Sequence, residues 1–236
     1  MAAASRLAAR ASPGEAGESD EAKLKRLLRR LSGARELGLT LGGDEDDELS
    51  LQARSDASRG ARADAKSRAG LRLTLGRGPT LRRSRKQKSV ARSPCEAEAL
   101  ALSDAASIAA WTRGLRRDAS TAADFAASVY EDNAAATRLA SNGASTSDRG
   151  RRAHARGGCV GRLVESGQIK AARSPAERAT ADALAKPLGA SQLSRLRGRL
   201  LGYEAPEKGR VMGGGERVGE RARLRRSDES GRRPSA

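Results

Sequence analysis

The sequence predicts a chain that is mostly disordered, α-helical where it is ordered, and without a substantial sheet. Three observations carry that expectation. Leu, Val, Ile and Phe together number 35 of 236 residues, against a formal net charge of +17. Such a composition falls on the disordered side of the usual divide, because it buries too little apolar surface to offset the entropy of ordering the backbone. The aromatic residues are only Trp111, Phe125, Tyr130 and Tyr203, and the abundant Ala adds little burial per residue. Finally, apolar residues follow helical spacing in three separate Ala/Leu patches.

Taken in chain order, residues 1–19 read as a disordered start, although residues 1–14 lack acids and resemble a short organelle presequence. Residues 20–32 form the first expected helix. Leu24, Leu27, Leu28 and Leu31 fall at i, i+3, i+4 and i+7 on one face. Ser19 or Asp20 caps its start, Arg29 and Arg30 suit the dipole at its end, and Gly33 stops it. The leucine stripe with its lysines and arginines has the character of an anionic-membrane surface helix or a calmodulin target. The other reading is a helix packing its leucines on the 94–141 segment. Arg29-Arg30-Leu31-Ser32 resembles a site for basophilic kinases, which makes Ser32 a phosphorylation candidate.

Residues 33–93 are expected to be disordered, with a basic cluster at 82–88. Arg82, Arg83, Arg85, Lys86 and Lys88 have the density of a nuclear import signal, and equally of a phosphate-contacting run. Leu37, Leu39 and Leu41 recur in pattern as Leu71, Leu73 and Leu75 around a shared Leu-Thr-Leu-Gly. Alternating leucines with a threonine suit an extended strand that buries one face. They also resemble the short leucine repression motif of plant transcriptional repressors, and that resemblance implies docking of both triplets in a corepressor groove.

Residues 94–141 predict a helical hairpin. Ser93-Pro94-Cys95-Glu96 reads as a capping box with proline at the first helical position. Ala105, Ile108, Trp111 and Leu115 trace one face, and a second helix begins at Thr121 and stops at Asn142-Gly143. Residues 142–172 read as a Gly/Arg linker, whose Arg149-Gly150-Arg151 and Arg156-Gly157-Gly158 resemble the Arg-Gly segments of some RNA-binding proteins. Residues 173–202 hold short helices, the first opened by Ser174-Pro175-Ala176-Glu177 and ended by Pro187. Residues 203–236 read as a solvated tail.

Charge is unevenly placed: net +9 over residues 1–93, −3 over 94–141 and +11 over 142–236. The basic residues are 38 Arg against 8 Lys, an excess that a G+C-rich coding sequence would also produce. No enzyme signature is apparent. The glycines at 213–215 open no phosphate-binding loop, and Glu204 and Glu207 lie in a tail without a cleft to tune them. His154, Cys95 and Cys159 cannot complete a zinc site without carboxylates placed by a fold. No apolar run is long enough to cross a membrane.

These observations predict a non-enzymatic basic interaction protein of the nucleus. It would bind nucleic acid non-specifically, or an acidic protein partner, with no cofactor, no catalytic residue and no metal; its oligomeric state is left open. One alternative is a linear-motif adaptor docking a corepressor through the leucine triplets. Another is a reading frame without evolved function. The alternative location is an organelle, reached through residues 1–14.

Overall fold

Leu71 and Leu73 of the second leucine triplet are buried in an interior strand of a five-stranded mixed sheet. The computed structural model describes residues 18–42, 50–58, 65–119, 125–137, 151–175 and 178–203. All of them belong to one unit, Met1–Pro206, and Glu207–Ala236 lies outside the described residues. The strands are β1 (Leu51–Ser58), β2 (Arg68–Leu75), β3 (Pro79–Lys86), β4 (Ala127–Glu131) and β5 (Ile169–Arg173). Their spatial order is β3-β2-β1-β4-β5. The β1–β2 and β2–β3 pairs are antiparallel, whereas β4 joins β1, and β5 joins β4, in parallel. The helices that accompany the sheet include α1 (Glu18–Ser32), α2 (Pro94–Ala119), α3 (Arg151–Glu165), α4 (Asp182–Ala185) and α5 (Ala190–Leu201).

This sheet overturns the expectation of a mostly disordered, helical chain. The apolar residues are few, but they are concentrated. Leu51, Ala53, Leu71, Leu73, Val129 and Ile169 from the strands meet Leu102, Ala105, Ala106 and Ala109 of α2, and Val160 of α3 completes the layer. Alanines at 97, 101, 105 and 109 repeat every four residues, and all are buried. A helix faced with alanine lets its backbone approach a sheet closely, so dispersion contacts accumulate without large side chains. Counting Leu, Val, Ile and Phe misses that contribution.

The strands also hide from a search for alternation. β1 is covered on both faces, so Gln52, Ser55 and Asp56 are buried alongside Leu51 and Ala53. A strand buried on both sides loses the period-two signal. Strands β1, β2 and β3 therefore occupy much of a region expected to be disordered. Helix α3 and strand β5 likewise occupy part of the expected Gly/Arg linker, held there by Val160, Leu163, Val164 and Ile169 on the main core.

The helical hairpin over 94–141 is likewise corrected. Helix α2 opens where the Ser-Pro-Cys-Glu pattern stands. The Glu96 amide donates to Ser93 Oγ at 3.1 Å, and the Arg92 amide donates to Glu96 Oε2 at 2.7 Å. The second half, however, contains β4, and among its described residues only 134–137 are helical. Ala127, Val129 and Glu131 are buried in alternation with half-buried Ser128 and Tyr130. With β1 on one side and β5 on the other, β4 exchanges hydrogen bonds along both edges, and tertiary pairing outweighs the local Ala-rich helix preference.

The first leucine triplet is placed differently from the second. Leu37, Leu39 and Leu41 are exposed, and Leu75 is packed against the core beside Leu71 and Leu73. The segment around the first triplet is tied to the end of α5. The Thr40 amide donates to Leu201 O at 2.9 Å, and the Tyr203 hydroxyl donates to Gly38 O at 2.9 Å. Gly202 closes α5 at φ +79°, a left-handed conformation that favours glycine. In α1, Leu24, Leu28 and Leu31 are exposed and Leu27 is half-buried; Ser32 is its exposed last residue. The presequence-like residues 1–14, the second-helix start at Thr121, Arg149-Gly150, Glu204, Glu207 and the glycines at 213–215 lie outside the described residues.

Candidate active site

Strands β1 and β4 run in parallel, with Arg54 paired to Tyr130. Two residues further along each chain, Asp56 and Asp132 reach the same end of the sheet. The carboxyl ends of neighbouring parallel strands form a crevice in open α/β sheets, and side chains there face a common space. The second turn of α2 contributes Glu98 to that crevice. Across it stand Asp182, which opens α4, and Lys186, which caps the end of α4.

One carboxylate oxygen from each of Asp56, Glu98 and Asp132 lies within 4.8 Å of the others. Asp56 is 1% exposed and Glu98 8%. The Ala57 amide donates to Glu98 Oε2 at 2.7 Å, which fixes the helix against the strand that carries Asp56. Lys186 Nζ stands 3.0 Å from Asp56 Oδ1 and 3.5 Å from Asp182 Oδ1. Glu131 faces the opposite side of the sheet and has a structural part. It accepts from the Ser55 hydroxyl at 2.6 Å and from the Asp132 amide at 3.1 Å. Asn133 Oδ1 then accepts from the amides of Ala135 and Ala136, so the turn that presents Asp132 is hydrogen-bonded on both sides.

So many carboxyls in one buried place raise one another's pKa. Burial, then the charges of Asp182 and Asp132, raise Asp56 to about 6 despite the Lys186 ammonium. Burial, Asp56 and Asp132 raise Glu98 to about 8, with the Ala57 amide opposing. Burial and Glu98 raise Glu131 to about 10. Asp182 is raised by burial as well. Burial alone would lower the Lys186 ammonium, yet its ion pairs with Asp56 and Asp182 hold it above its usual value.

Asp56 Oδ2 is buried and has no hydrogen-bond donor. An oxygen-only donor set with a buried carboxylate oxygen left over fits a hard divalent cation such as Mg²⁺ or Mn²⁺ better than zinc. The residues weighed for zinc are not gathered here. Cys95 is half-buried in the first turn of α2 and Cys159 half-buried in α3, and the His154 side chain lies outside the described residues.

The basic cluster singled out in the sequence runs along β3, the edge strand, towards this same end. Arg83 and Arg85 line a cavity of about 340 Å³ between β2, β3 and α2, together with Lys86 at the end of the strand and Lys88 beyond it. Arg83 lies 3.5 Å from Asp104 of α2, while Arg82 is exposed on the other face. Gln87 Nε2 donates to Ala97 O at 2.8 Å, one residue before Glu98. The rung Asp56–Gly70–Ser84 is followed by Ser58–Arg68–Lys86, so the basic strand ends level with the acidic cluster. On the other face α4 lies against β2 at Gly70. A Cβ there would meet Ala181 O at 2.5 Å and Ala185 N at 2.8 Å, so glycine lets α4 bring Asp182 and Lys186 to the crevice.

The sequence pattern singles out none of Asp56, Glu98, Asp132, Asp182 or Lys186. A signal was present in the charge map: of the three blocks, the one with net negative charge, 94–141, holds both Glu98 and Asp132.

No family model matches the chain. Over 120 residues, 50% of the chain, it is 36% identical to the retrovirus-related Pol polyproteins from transposons RE2 and RE1 of Arabidopsis thaliana. That match spans 8% of each polyprotein's length. RNase H1 from the halophilic archaeon Halobacterium salinarum superposes with a TM-score of 0.40 at 20% identity, covering 58% of this chain and 94% of that one. The N-terminal RNase H domain of Rv2228c from Mycobacterium tuberculosis gives a TM-score of 0.38 at 16% identity, over 58% and 91%.

The carboxylate cluster and the identity to Pol polyproteins overturn the expectation of a non-enzymatic basic protein without an enzyme site. The corepressor adaptor and the frame without function are set aside with it, since Leu71 and Leu73 of the docking triplets belong to the core of a fold that assembles this site. No helix among the described residues is long and apolar enough to cross a membrane.

Proposed function

We propose that the chain is a divalent-cation-dependent hydrolase of nucleic-acid phosphodiesters, of the ribonuclease H kind. The observation that carries this reading is the convergence of Asp56, Glu98 and Asp132 from β1, α2 and the turn after β4. Asp56, Glu98 and Asp132 would hold the cation, and Asp182 stands beside them at the mouth. Bound there, a divalent cation supplies Lewis-acid polarisation of a phosphoryl oxygen and lowers the pKa of its water.

The remaining work belongs to the chain's own residues. Glu98 is oriented by the Ala57 amide, and Lys186 neutralises Asp56 and Asp182 at the lip. Arg83, Arg85 and Lys88 give the phosphate backbone a positively charged track beside the crevice, which supports a nucleic-acid substrate through contacts that carry no sequence information. The similarity to Pol polyproteins of retrotransposons supports the same class of substrate. A nuclear location is part of the proposal, with the exposed part of the 82–88 run as its address.

The test is cleavage of a labelled RNA–DNA hybrid by the full chain with Mg²⁺ or Mn²⁺, beside single-stranded RNA, duplex RNA and duplex DNA. Cleavage that disappears with EDTA and in Asp56→Asn supports the reading. Cleavage of no substrate by a folded, cation-loaded protein sinks it.

A further inference from the structure

Three arginines stand side by side on the sheet face turned away from α2. Arg54, Arg72 and Arg82 occupy one rung across β1, β2 and β3. Opposed residues of neighbouring antiparallel strands share a face with their Cβ atoms about 5 Å apart, and like charges so placed repel. Arg82 is exposed, Arg54 half-buried and Arg72 only 7% exposed. The rung therefore runs from solvent inward, towards the C-terminal end of α5.

What the inner two guanidinium groups meet is neutral. Arg72 Nη2 donates to Arg199 O at 2.6 Å. Arg54 Nη1 donates to Ser174 Oγ at 2.9 Å, and its guanidinium lies 4.3 Å over the Tyr130 ring. Arg72 Nε is buried and has no acceptor. Among the described residues, neither arginine has a carboxylate partner; Asp56, two residues on from Arg54, is paired with Lys186 instead. Burial, followed by the charges of Arg54, Arg199 and Arg82, brings Arg72 down to about 10. Arg54 is lowered by burial too, with Arg178 and Arg199 adding to it and Tyr130 opposing.

We propose that Arg54 and Arg72 form an anion site for a phosphate-class oxyanion. Arg72, 7% exposed, with Nε lacking an acceptor and no carboxylate partner, carries a costly buried charge, and the half-buried Arg54 beside it adds to that cost. Their planar forks match phosphoryl oxygens in geometry and charge. A phosphate between them would give Arg72 Nε its acceptor and convert repulsion into paired attraction. Free phosphate and a phosphate of a nucleic-acid strand share this chemistry. The site needs no divalent cation and no member of the acidic cluster, so it stands whether or not the chain cleaves nucleic acid.

The experiment titrates inorganic phosphate into the metal-free full chain, by calorimetry and by thermal melting, against chloride at matched ionic strength. The expected result is saturable binding, with Tm rising by roughly 5 °C or more at a hundredfold excess over Kd. Both signals are lost in Arg72→Met. In phosphate-free buffer that variant is at least as stable as the wild type, since it removes an unpaired buried charge while keeping side-chain length. Arg54→Gln, a second and milder change, weakens phosphate about tenfold. A 5′-phosphorylated oligonucleotide that competes where its 5′-hydroxyl counterpart does not identifies a strand phosphate as the ligand; inorganic phosphate alone identifies the free ion. Saturable binding of neither probe, or binding unchanged in both variants, overturns the proposal.

Discussion

Glu98 Oε2 accepts a hydrogen bond from the Ala57 amide at 2.7 Å, so one carboxylate both joins α2 to β1 and stands in the acidic cluster. The two parts are separable. Glu98→Gln keeps an oxygen for the amide and loses the charge, whereas Glu98→Ala loses both. Both variants should lose about a hundredfold or more of divalent-cation-dependent cleavage. Only the alanine variant should also lose about 1–3 kcal/mol of stability, from the stranded amide and the space left behind. Thermal melts of the two variants side by side check this, and equal melting would remove the tie from the account.

Lys186 is the cation that the cluster already has. Lys186→Met leaves Asp56 and Asp182 without their ammonium, and the metal-free protein should lose about 1–2 kcal/mol. The figure is modest because the lysine side chain is 37% exposed and partly screened by solvent. The same variant should bind Mn²⁺ more tightly, since a competing positive charge has gone. Calorimetric titration of Mn²⁺ decides the sign.

Acidity acts on the cluster in a definite direction. Glu98 and Glu131 hold their protons to about 8 and about 10 in the folded chain, against an ordinary carboxyl value of 4.5. Folding thus favours the protonated forms. The stability they contribute is fully present below pH 4.5, and it is lost as pH rises through about 8 and then about 10. Metal-free melting temperature should therefore fall between pH 6 and pH 9. Divalent-cation affinity should rise over the lower part of that window, by roughly tenfold per pH unit until Glu98 is ionised. A pH-independent affinity would contradict the ligand set.

Gly70 is where α4 rests on the sheet. Gly70→Ala should cost about 1–3 kcal/mol, because backbone atoms of Ala181 and Ala185 stand where the methyl would go. It should also lower cation affinity to the extent that it moves Asp182 away from the cluster. Gly114 has nothing within 4 Å of its Cβ position, and Gly114→Ala on α2 serves as the control.

Replacing Arg83, Arg85 and Lys88 together by Gln should weaken nucleic-acid binding about equally for all sequences. It should also flatten the salt dependence by about one unit for each phosphate that is no longer neutralised. Binding measured at three salt concentrations reads both effects. An unaltered salt slope would place the phosphate backbone elsewhere on the molecule.

How much of this was legible in the sequence differs from element to element. The start of α2 could be read, because Ser93 and Glu96 signal through local hydrogen bonds that any helix start uses. The residues of β4 could not: its Ala, Ser, Val, Tyr and Glu become a strand through pairing with β1 and β5, partners remote in the chain. The acids of the cluster share that difficulty. Asp56 stands between Ser55 and Ala57 in a stretch that reads as polar linker, and only the fold brings it to Glu98 and Asp132. The basic run at 82–88 was visible as charge, but its direction towards the crevice depends on the antiparallel register of β2 with β3.

The parallel pairing of β1 with β4 has a consequence in time. Ser55 and Glu131, joined across that pair, are 76 residues apart in the chain. Contacts so distant in sequence close late, after the local hairpin of β1, β2 and β3 has had every chance to form. A growing chain on the ribosome carries Asp56 and Glu98 well before Asp132 exists. The acidic crevice is thus among the last features to be assembled, and a chain halted before β4 would have the sheet's antiparallel half without the third carboxylate of the cluster.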